Sequence, residues 1–316
     1  MKLSIVTTLY KSEPYINEFF QRASAAAKNL VNDDYEIIFV NDGSPDNSLN
    51  LAIQLSEQDL HVVVVDLSRN FGHHRAMMTG LSYTEGEKVF LIDSDLEEEP
   101  EWLIDFDKQM KQSGDDVVFG VQETRKGNLS EKITGALFYK IFRLLTNVNQ
   151  PNNIVTARLM SRQYVQALLS HKERELNIGG LFIITGFEQS THIIRKHATS
   201  PTSYSFSKKA EHVVNAITSF SSLPLVYAFY LGMLLSFSAL VFISYLTLSY
   251  IYGSSAPTGY TSIVASVWLF SGLIIFFVGV QGIYLAKIFS EVKQRPYTIT
   301  RQIYRGSRKN VRHKDD

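Results

Sequence analysis

Two carboxylates, Asp93 and Asp95, stand one residue apart directly after the apolar run Lys88–Ile92. At the end of a strand, both can be directed toward one hard cation such as Mg²⁺ or Mn²⁺. Such an ion usually binds one or two carboxylates together with substrate phosphates. Glu97 can join the ion directly or through water. A D-x-D pair occurs by chance in many sequences, so its position after a predicted strand is what favours a metal site.

The sequence lacks the glycine-rich motifs that hold phosphates. Residues 8–13 read T-L-Y-K-S-E where a dinucleotide-binding G-x-G-x-x-G motif would stand, and no Walker phosphate loop is present. A bound diphosphate therefore needs another source of positive charge, which a metal ion held by carboxylates supplies. We interpret Glu98, Glu99 and Glu101 differently, because they flank Pro100 at a predicted helix start, where acids interact favourably with the helix dipole.

Strands and helices alternate through the N-terminal part of the chain. The predicted strands are Leu3–Thr8, Tyr35–Val40, His61–Leu67, Lys88–Ile92 and Asp116–Phe119. The predicted helices are Pro14–Leu30, Leu49–Leu55, Arg75–Tyr83 and Trp102–Met110. This alternation predicts an α/β fold with a mostly parallel sheet covered by helices on both faces. Ligands of such sheets bind beyond the carboxyl ends of the strands, so the loops Tyr10–Glu13, Asn41–Ser44 and Asp93–Glu97 should meet at one crevice.

Composition excludes several classes of protein. Cysteine is absent from the 316 residues, which removes disulfide scaffolds, cysteine zinc sites and iron–sulfur clusters. Apolar residues make up 45% and aromatic residues 12%, too much for a disordered chain. The aromatic residues are scattered and form no stacking platform for nucleic acid, which we exclude as a partner. Net charge is zero, but its distribution is uneven, since Glu211 is the only charged residue between Lys209 and Lys287.

The uncharged region contains two long apolar runs, Leu223–Tyr252 with 30 residues and Ser262–Ala286 with 25. A membrane-spanning helix needs about 20 apolar residues, so each run is long enough to cross. A buried helix pair in a soluble core is the weaker alternative, because core helices are shorter and keep a polar face. The turn-rich connector Gly253–Tyr260 makes the pair a hairpin. Basic residues before and after the hairpin predict that both termini face the cytoplasm.

Four segments follow from this pattern: a cytoplasmic α/β domain over 1–209, an amphipathic helix over 210–222, two transmembrane helices within 223–286, and a basic cytoplasmic tail over 287–316. The amphipathic pattern fits a helix that lies on the membrane surface or one that packs on the soluble domain. The tail has nine Lys/Arg residues against three Asp/Glu, which indicates contact with anionic lipid headgroups or a solvated end.

Several motifs, in order along nearly the whole chain, resemble those of one enzyme family. They are Asn41–Ser44, Ser68–His73, Gly80-Leu81, Asp93–Asp95, Arg158–Arg162, Ile217–Ser221 and the closing segment from Tyr284 to Pro296. On these residues the chain resembles the family 2 glycosyltransferases, which have the Rossmann-like GT-A fold. Within that family it is similar to the polyisoprenyl-phosphate glycosyltransferases, the branch of dolichol-phosphate mannose synthase and bacterial O-antigen glucosyl-lipid synthases.

The resemblance implies an inverting, metal-dependent transfer of a sugar from a nucleotide-sugar, expected to be UDP-linked, to a polyprenyl phosphate such as undecaprenyl phosphate. The reaction would take place at the cytoplasmic face of a bacterial inner membrane, in a multi-pass protein that contacts membrane lipid and forms homo-oligomers. Its product would be a lipid-linked sugar for cell-envelope glycan modification. Mg²⁺ or Mn²⁺ is the implied cofactor.

The resemblance also implies roles for individual residues. The nucleotide-sugar would contact Thr8, Tyr10, Glu13, Val40, Asp42, Gly43 and Asp93. The metal ligands would be Asp93, Asp95 and Glu97. Catalysis would depend on Asp95 together with Arg125 and Arg158, whose guanidinium groups suit the acceptor phosphate. A surface charge or a structural ion pair is the alternative role for each arginine.

The chain departs from the family pattern at several positions, four of which bear on the site. Thr8 stands in place of a proline and Lys11 in place of an asparagine. Glu97 replaces a glutamine, and Ser203 replaces a lysine expected near the acceptor phosphate. These departures concern donor identity and acceptor contacts rather than the class of reaction.

Two other classes of protein stay open. A processive polysaccharide synthase resembles the same fold but carries a Q-x-x-R-W motif, which this sequence lacks. A non-catalytic membrane protein could use the fold for interaction only, but the presence of Asp42, Asp93 and Asp95 argues against it. We interpret His73 and His74 as residues that order their loop rather than as metal ligands or bases.

Overall fold

The computed structural model describes residues 1–122, 153–173, 178–195, 218, 221–252 and 259–306. Within these residues a single mixed sheet has eight strands. They are β1 (Leu3–Leu9), β2 (Tyr35–Asn41), β3 (Val62–Leu67), β4 (Lys88–Leu91), β5 (Val117–Gln122), β6 (Ile154–Ser161), β7 (Gln189–Ile194) and β8 (Thr300–Arg305). The described helices are α1 (Ile16–Val31), α2 (Ser48–Gln58), α3 (His73–Ser82), α4 (Trp102–Ser113), α5 (Arg162–Ser170), α6 (Ile178–Ile184), α7 (Leu223–Ile251) and α8 (Tyr260–Val292).

The strands lie in the order β7-β5-β6-β4-β1-β2-β3-β8. β1 pairs in parallel with β2 and β4, and β2 with β3, whereas β6 and β8 run antiparallel to their neighbours. A parallel sheet is covered on both faces, which explains why every residue of β1, β2 and β3 is buried. The predicted α/β class with a mostly parallel sheet is confirmed.

Helices cover both faces of the sheet, and each face has its own hydrophobic core. On one face, Phe19 of α1 packs edge-on against Phe39, and Phe106 of α4 packs edge-on against Phe90. On the other face, α3, α5 and α6 pack against the sheet. Helix α1 folds against the sheet because its buried side chains recur every three or four positions and so share one side of the helix.

The registers align the strand ends that position the site. Leu9, the last residue of β1, pairs with Asn41, the last residue of β2. Val6 of β1 pairs with Leu91, the last residue of β4, so the chain leaves these strands at the same edge. β6 runs in the opposite direction, and its Arg158 pairs with Leu91. The first residues of β6 therefore lie beyond the end of β4, at that edge.

The elements predicted in the N-terminal part agree in type with those observed, and their ends differ by a few residues. β4 ends at Leu91 instead of Ile92, and β5 extends to Gln122 instead of Phe119. Strands β6, β7 and β8 and helices α5 and α6 were not predicted. β7 shows why, because this edge strand is mostly polar and lacks the apolar pattern of a central strand.

The helices α7, with 29 residues, and α8, with 33, form a second compact unit. Within the part of the chain that the structure describes, the segment Ser266–Val292 is long and apolar enough to cross a membrane, and Leu223–Leu235 is a shorter apolar segment. The predicted hairpin of two spans therefore stays a proposal. The predicted amphipathic helix over 210–222 lies almost wholly outside the described residues.

The segment interpreted as a basic tail contains a strand that the sequence did not reveal. Thr300–Arg305 form β8, which pairs with β3 at the edge of the sheet and belongs to the same compact unit as the other strands. Charged side chains are common on edge strands, where they discourage pairing with other chains. The arginines of this strand are the reason why the segment was interpreted as a basic tail from the sequence.

Candidate active site

The loops after β1, β2 and β4 meet at the carboxyl edge of the sheet, as predicted. Ser94, in the loop after β4, donates a hydrogen bond from Oγ to the carbonyl oxygen of Thr8 at 3.0 Å, and its Oγ lies 3.0 Å from Ser12 Oγ. The backbone N–H of Lys11 donates to Ser44 Oγ at 2.7 Å, which joins the loop after β1 to the turn after β2. The three loops are thus in contact where ligands of parallel sheets bind.

His73, the first residue of α3, connects two of these loops. Its Nδ1 lies 2.9 Å from Thr8 Oγ1, and its Nε2 lies 3.3 Å from Asp93 Oδ1. Burial on its own would lower the pKa of His73, but the hydrogen bond and charge of Asp93, with the charges of Asp42 and Glu98, outweigh it and raise this pKa. The sequence interpretation of His73 as a loop-ordering residue did not anticipate its contact with a predicted metal ligand.

Asp42 holds the loop between β3 and α3. Its Oδ1 accepts a hydrogen bond from the N–H of Phe71 at 2.7 Å, and its Oδ2 accepts one from the N–H of Gly72 at 3.0 Å. Burial raises the pKa of Asp42, and the two amide hydrogen bonds oppose this shift without cancelling it. A carboxylate has about four acceptor positions, so these two bonds leave acceptor capacity unused, but the side chain is itself buried, with 2% exposure.

Gly43 allows the turn after β2 to pack directly on the loop after β3. Its φ of +60° lies in the left-handed region, which favours glycine. A Cβ at this position would lie 2.4 Å from the backbone nitrogen of Asn70. Position 43 in the predicted nucleotide-contacting turn therefore requires glycine because of contacts within the protein, whether or not a ligand is bound.

The other predicted nucleotide contacts differ in exposure. Tyr10 is 49% exposed, so its ring is accessible to a ligand. Glu13 accepts a hydrogen bond from the N–H of Asn47 through Oε2 at 3.2 Å, which ties the loop after β1 to the start of α2. Thr8 is buried beneath the loops, and Val40 is fully buried in the core, so its side chain packs within the protein.

Asp46 organises the turn between β2 and α2. Its Oδ1 accepts hydrogen bonds from Ser44 Oγ at 2.5 Å and Ser48 Oγ at 2.6 Å, and its Oδ2 accepts one from the N–H of Glu13 at 3.1 Å. Burial favours a higher pKa for Asp46, but these hydrogen bonds outweigh it and lower the pKa to about 2. The sequence analysis did not single out this residue.

Asp93 and Asp95 follow β4, and neighbouring groups orient both carboxylates. Thr156 Oγ1 donates a hydrogen bond to Asp93 Oδ2 at 2.8 Å, and the N–H of Glu97 donates one to Asp95 Oδ1 at 3.0 Å. Among the described residues, no group of three or more His, Cys, Asp or Glu side chains is arranged to hold a metal ion. Two hard carboxylates on one loop suit an ion that completes its shell with substrate phosphates and water.

Glu98 has a role in the structure that the helix-dipole interpretation of the acids near Pro100 did not include. Its carboxylate is fully buried, and it accepts hydrogen bonds from the N–H of Thr156 at 3.1 Å and the N–H of Ala157 at 2.8 Å. Because these amides belong to β6, Glu98 fastens the loop of Asp93 and Asp95 to a strand distant in sequence. The helix-dipole interpretation overlooked this role, since backbone partners that come from another strand leave no local pattern.

Arg158 is almost completely buried, with 4% exposure. Its guanidinium donates hydrogen bonds to the carbonyl oxygens of Thr156 at 3.1 Å and Val155 at 3.2 Å, and it stacks 3.3 Å from the ring centroid of Phe182. Burial lowers the pKa of Arg158 to about 10. This position gives no support to the predicted direct contact with an acceptor phosphate, and Arg125 lies outside the described residues.

The fold and the site define an α/β protein with a polar, carboxylate-bearing site at the carboxyl ends of its strands. Residues 4–169, which are 166 of the 316 residues, match the family model of "Glycosyl transferase family 2". The chain therefore belongs to glycosyltransferase family 2, and the resemblance carried by its motifs is confirmed. Family membership makes the protein a transferase.

Relatives match along almost the whole chain. A protein of Mycobacterium tuberculosis (strain CDC 1551 / Oshkosh) named "Putative glycosyltransferases" is 46% identical over 96% of this chain and 89% of its own length. "Uncharacterized glycosyltransferase YkcC" of Bacillus subtilis (strain 168) is 32% identical over 96% of this chain and 94% of its own. "Prophage bactoprenol glucosyl transferase homolog" of Escherichia coli (strain K12) is 29% identical over 96% and 99%. Among solved structures, TarS 1-349 of S. aureus has a TM-score of 0.46 and 20% identity, covering 69% of this chain and 65% of that one.

Proposed function

We propose that this glycosyltransferase transfers a sugar from a UDP-linked nucleotide-sugar to a polyprenyl phosphate such as undecaprenyl phosphate. The observation that carries the proposal is the arrangement at the strand ends, where Asp42 accepts a hydrogen bond from the N–H of Gly72 and the next residue, His73, contacts Asp93. The long apolar segment Ser266–Val292 supports a lipid acceptor. Full-length similarity to a protein named for bactoprenol glucosyl transfer supports the same acceptor class.

In this proposal the donor binds across the loops after β1 and β2. The exposed ring of Tyr10 contacts the nucleobase, and Asp42 and Glu13 accept hydrogen bonds from the nucleoside. Thr8, Gly43 and the backbone of Val40 shape the floor of this site. Asp93 lies at the diphosphate end, where His73 Nε2 lies 3.3 Å from its Oδ1.

The chemistry that we propose follows from the charges of the reactants. An acceptor phosphate oxygen is already anionic near neutral pH, so it attacks the anomeric carbon without a general base. The bond from that carbon to the nucleoside diphosphate breaks as the new bond forms, and this single displacement inverts the anomeric centre. Bound Mg²⁺ or Mn²⁺ would stabilise the charge on the leaving diphosphate. Asp93 and Asp95 would hold that ion, and Glu97 would join it directly or through water. Thr156 orients Asp93.

Arg125 remains our proposed contact for the acceptor phosphate, because guanidinium offers a bidentate fit to phosphate oxygens. For Arg158 we propose a role other than direct contact with the acceptor phosphate, because its side chain is buried. Its buried charge interacts with Asp93 and Glu98. We therefore propose that Arg158 supports the carboxylate loop from within the protein.

We propose that the protein is a multi-pass protein of the bacterial cytoplasmic membrane, with α7 and α8 as two spans and both termini in the cytoplasm. Large apolar side chains of α8, among them Trp268 and Ile275, are exposed, as expected for contact with lipid. Reporter fusions after Ser254 and at the C-terminus test this topology. If the reporter at the C-terminus is found outside the cytoplasm, the proposed topology is wrong.

The reaction is tested with full-length protein in detergent, Mg²⁺ and undecaprenyl phosphate, supplied in parallel with radiolabelled UDP-glucose, UDP-N-acetylglucosamine or GDP-mannose. We expect one of the two UDP-linked donors to label the lipid fraction, and mild acid to release that label as free sugar. Labelling from GDP-mannose alone would contradict the UDP-linked donor. Label in a polymer would indicate a processive synthase instead. Transfer from none of these donors to the lipid would contradict the proposal.

The role of the carboxylates is tested with Asp93→Asn and Asp95→Asn, which keep the size of each side chain and remove its charge. We expect each to lower transfer roughly 100-fold or more, because the charge on the leaving group would no longer be stabilised. Asp105→Asn, on the exposed side of α4, is the matched control and should retain activity. Full activity in excess EDTA would remove the metal from the proposed mechanism.

A further inference from the structure

The chain returns to the catalytic sheet after α8. Helix α8 ends at Val292, and β8 begins at Thr300, so seven residues (293–299) connect them. The backbone N–H of Ser68 donates a hydrogen bond to the carbonyl oxygen of Ile299 at 2.9 Å. This contact places the end of the connection against the Ser68–Gly72 loop, whose amides bind Asp42.

Arg301 lies at an irregularity in the pairing of β8 with β3. Gln302 pairs with Asp66 and Thr300 pairs with Leu67, so Arg301 is the additional residue between them. An additional residue of this kind bends the strand and redirects its side chain. The Arg301 guanidinium donates through one nitrogen to the carbonyl oxygen of Ser68 at 2.6 Å, and its other nitrogen lies 3.5 Å from Asp66 Oδ2.

The contacts of Arg301 extend to the turn after β2. Asp66 is buried, and its Oδ1 accepts a hydrogen bond from Asn41 Nδ2 at 2.8 Å. Asn41 Oδ1 in turn accepts one from the N–H of Ser44 at 3.2 Å. One guanidinium therefore contacts the start of the Ser68–Gly72 loop and, through Asp66 and Asn41, supports the neighbouring turn.

A second anchor joins the same segment to α3. Thr298 Oγ1 lies 2.7 Å from Thr79 Oγ1, and Tyr83 donates a hydrogen bond from its hydroxyl to Thr300 Oγ1 at 3.2 Å. Helix α3 begins at His73, which contacts Asp93. The segment 298–301 thus contacts both elements that adjoin the Ser68–Gly72 loop.

We propose that residues 298–301 form a strap that positions the nucleotide site, with Arg301 as its positioning residue. The strap fixes the Ser68–Gly72 loop so that its amides and Asp42 keep the shape that the donor nucleotide requires. This inference rests on the proposed function for its ligand, a nucleoside diphosphate. The segment that follows the apolar helices is then part of the active site rather than a tail.

The test compares full-length Arg301→Ala and Arg301→Lys with Arg305→Ala, an arginine on the same strand whose partner is Glu85 at 3.7 Å. Affinity for UDP and for GDP is measured by calorimetry in detergent with Mg²⁺. We expect Arg301→Ala to bind the preferred nucleotide about three- to tenfold more weakly. The exposed ion pair with Asp66 should contribute little to this loss, and the charge-assisted hydrogen bond to Ser68 should contribute more. Arg301→Lys should be intermediate, because lysine keeps the charge and loses the fork. Arg305→Ala should bind as the unaltered protein does.

Amide hydrogen exchange at Phe71 and Gly72 is the second measurement, because it needs no nucleotide. We expect faster exchange at both amides in Arg301→Ala and unchanged exchange in Arg305→Ala. Equal affinity and equal exchange in the two alanine variants would overturn the strap. If the unaltered protein binds neither UDP nor GDP, the proposed function fails, and the exchange result alone decides whether Arg301 orders the loop. If Arg301→Ala does not fold, the same comparison is made with Arg301→Lys.

Discussion

Thr156 Oγ1 donates a hydrogen bond to Asp93 Oδ2 at 2.8 Å, while the backbone N–H of the same threonine donates to the buried carboxylate of Glu98. One residue of β6 therefore holds the carboxylate loop at two points. Both points lie beyond the end of β4, because β6 runs antiparallel to it and continues past Leu91. The orientation of Asp93 thus depends on a strand that the sequence analysis did not predict.

Glu98→Gln should weaken this attachment. An amide replaces one acceptor oxygen with an NH₂ group, which then faces a backbone N–H and leaves a buried donor without its partner. We expect the free energy of unfolding to fall by about 1–3 kcal/mol and transfer to require more Mg²⁺ for half-maximal rate. Chemical denaturation in detergent and a Mg²⁺ titration of activity measure the two effects. Glu57→Gln, on the exposed side of α2, is the control and should change neither.

Arg158→Met separates structural support from acceptor binding. Methionine retains much of the apolar volume beside Phe182 but removes the cation that faces two carbonyl oxygens and the acids of the site. We expect the free energy of unfolding to fall by about 3–5 kcal/mol, as is typical when one partner of a buried charge arrangement is removed. A variant of normal stability that is altered only in its dependence on polyprenyl phosphate concentration would instead support the acceptor role.

Gly43→Ala should deform the turn after β2. The added Cβ would lie 2.4 Å from the backbone nitrogen of Asn70, and the φ of +60° is unfavourable for alanine. We expect a loss of about 2–4 kcal/mol in the free energy of unfolding, together with weaker nucleotide binding. Gly114→Ala is the matched control, because its φ is +79° and no atom lies within 4 Å of the new Cβ. Its loss should be limited to about 1 kcal/mol of backbone strain, with nucleotide affinity unchanged.

Asp46 should give the protein a stability that depends on acid pH. Its pKa is lowered from 3.8 to about 2 in the folded protein, so the ionised form is favoured by folding. The contribution is complete above the unfolded pKa and is lost as pH falls from about 4 to about 2. It should be about 1 kcal/mol or less, because Asp46 is only partly buried and water screens its interactions. Asp46→Asn should therefore lower thermal stability at pH 7, and the difference should shrink toward pH 2. An equal difference at pH 7 and pH 2.5 would contradict this assignment.

Local patterns in the sequence were sufficient for the first half of the fold and for the place of the site. Apolar runs of strand length that alternate with amphipathic helices predict a parallel sheet, and parallel strands bring their carboxyl ends to one edge. Asp42, Asp93 and Asp95 lie in loops that follow such ends, so the sequence predicts that these loops lie at one edge of the sheet. The apolar run Ser262–Ala286, which overlaps the segment Ser266–Val292, was visible for the same reason, since length and composition are local properties.

Only the tertiary structure showed which side chains are buried and which distant segments complete the site. Glu98 resembles any acid at a helix start until β6 supplies its amide partners, and Arg158 resembles a surface arginine until Phe182 covers it. Arg301 and Ser68 are 233 positions apart, and neither segment carries a pattern that specifies the other. Pairing over such separations is determined by the packing of the whole sheet, because edge strands and buried charges obtain their partners from elements that local periodicity does not identify.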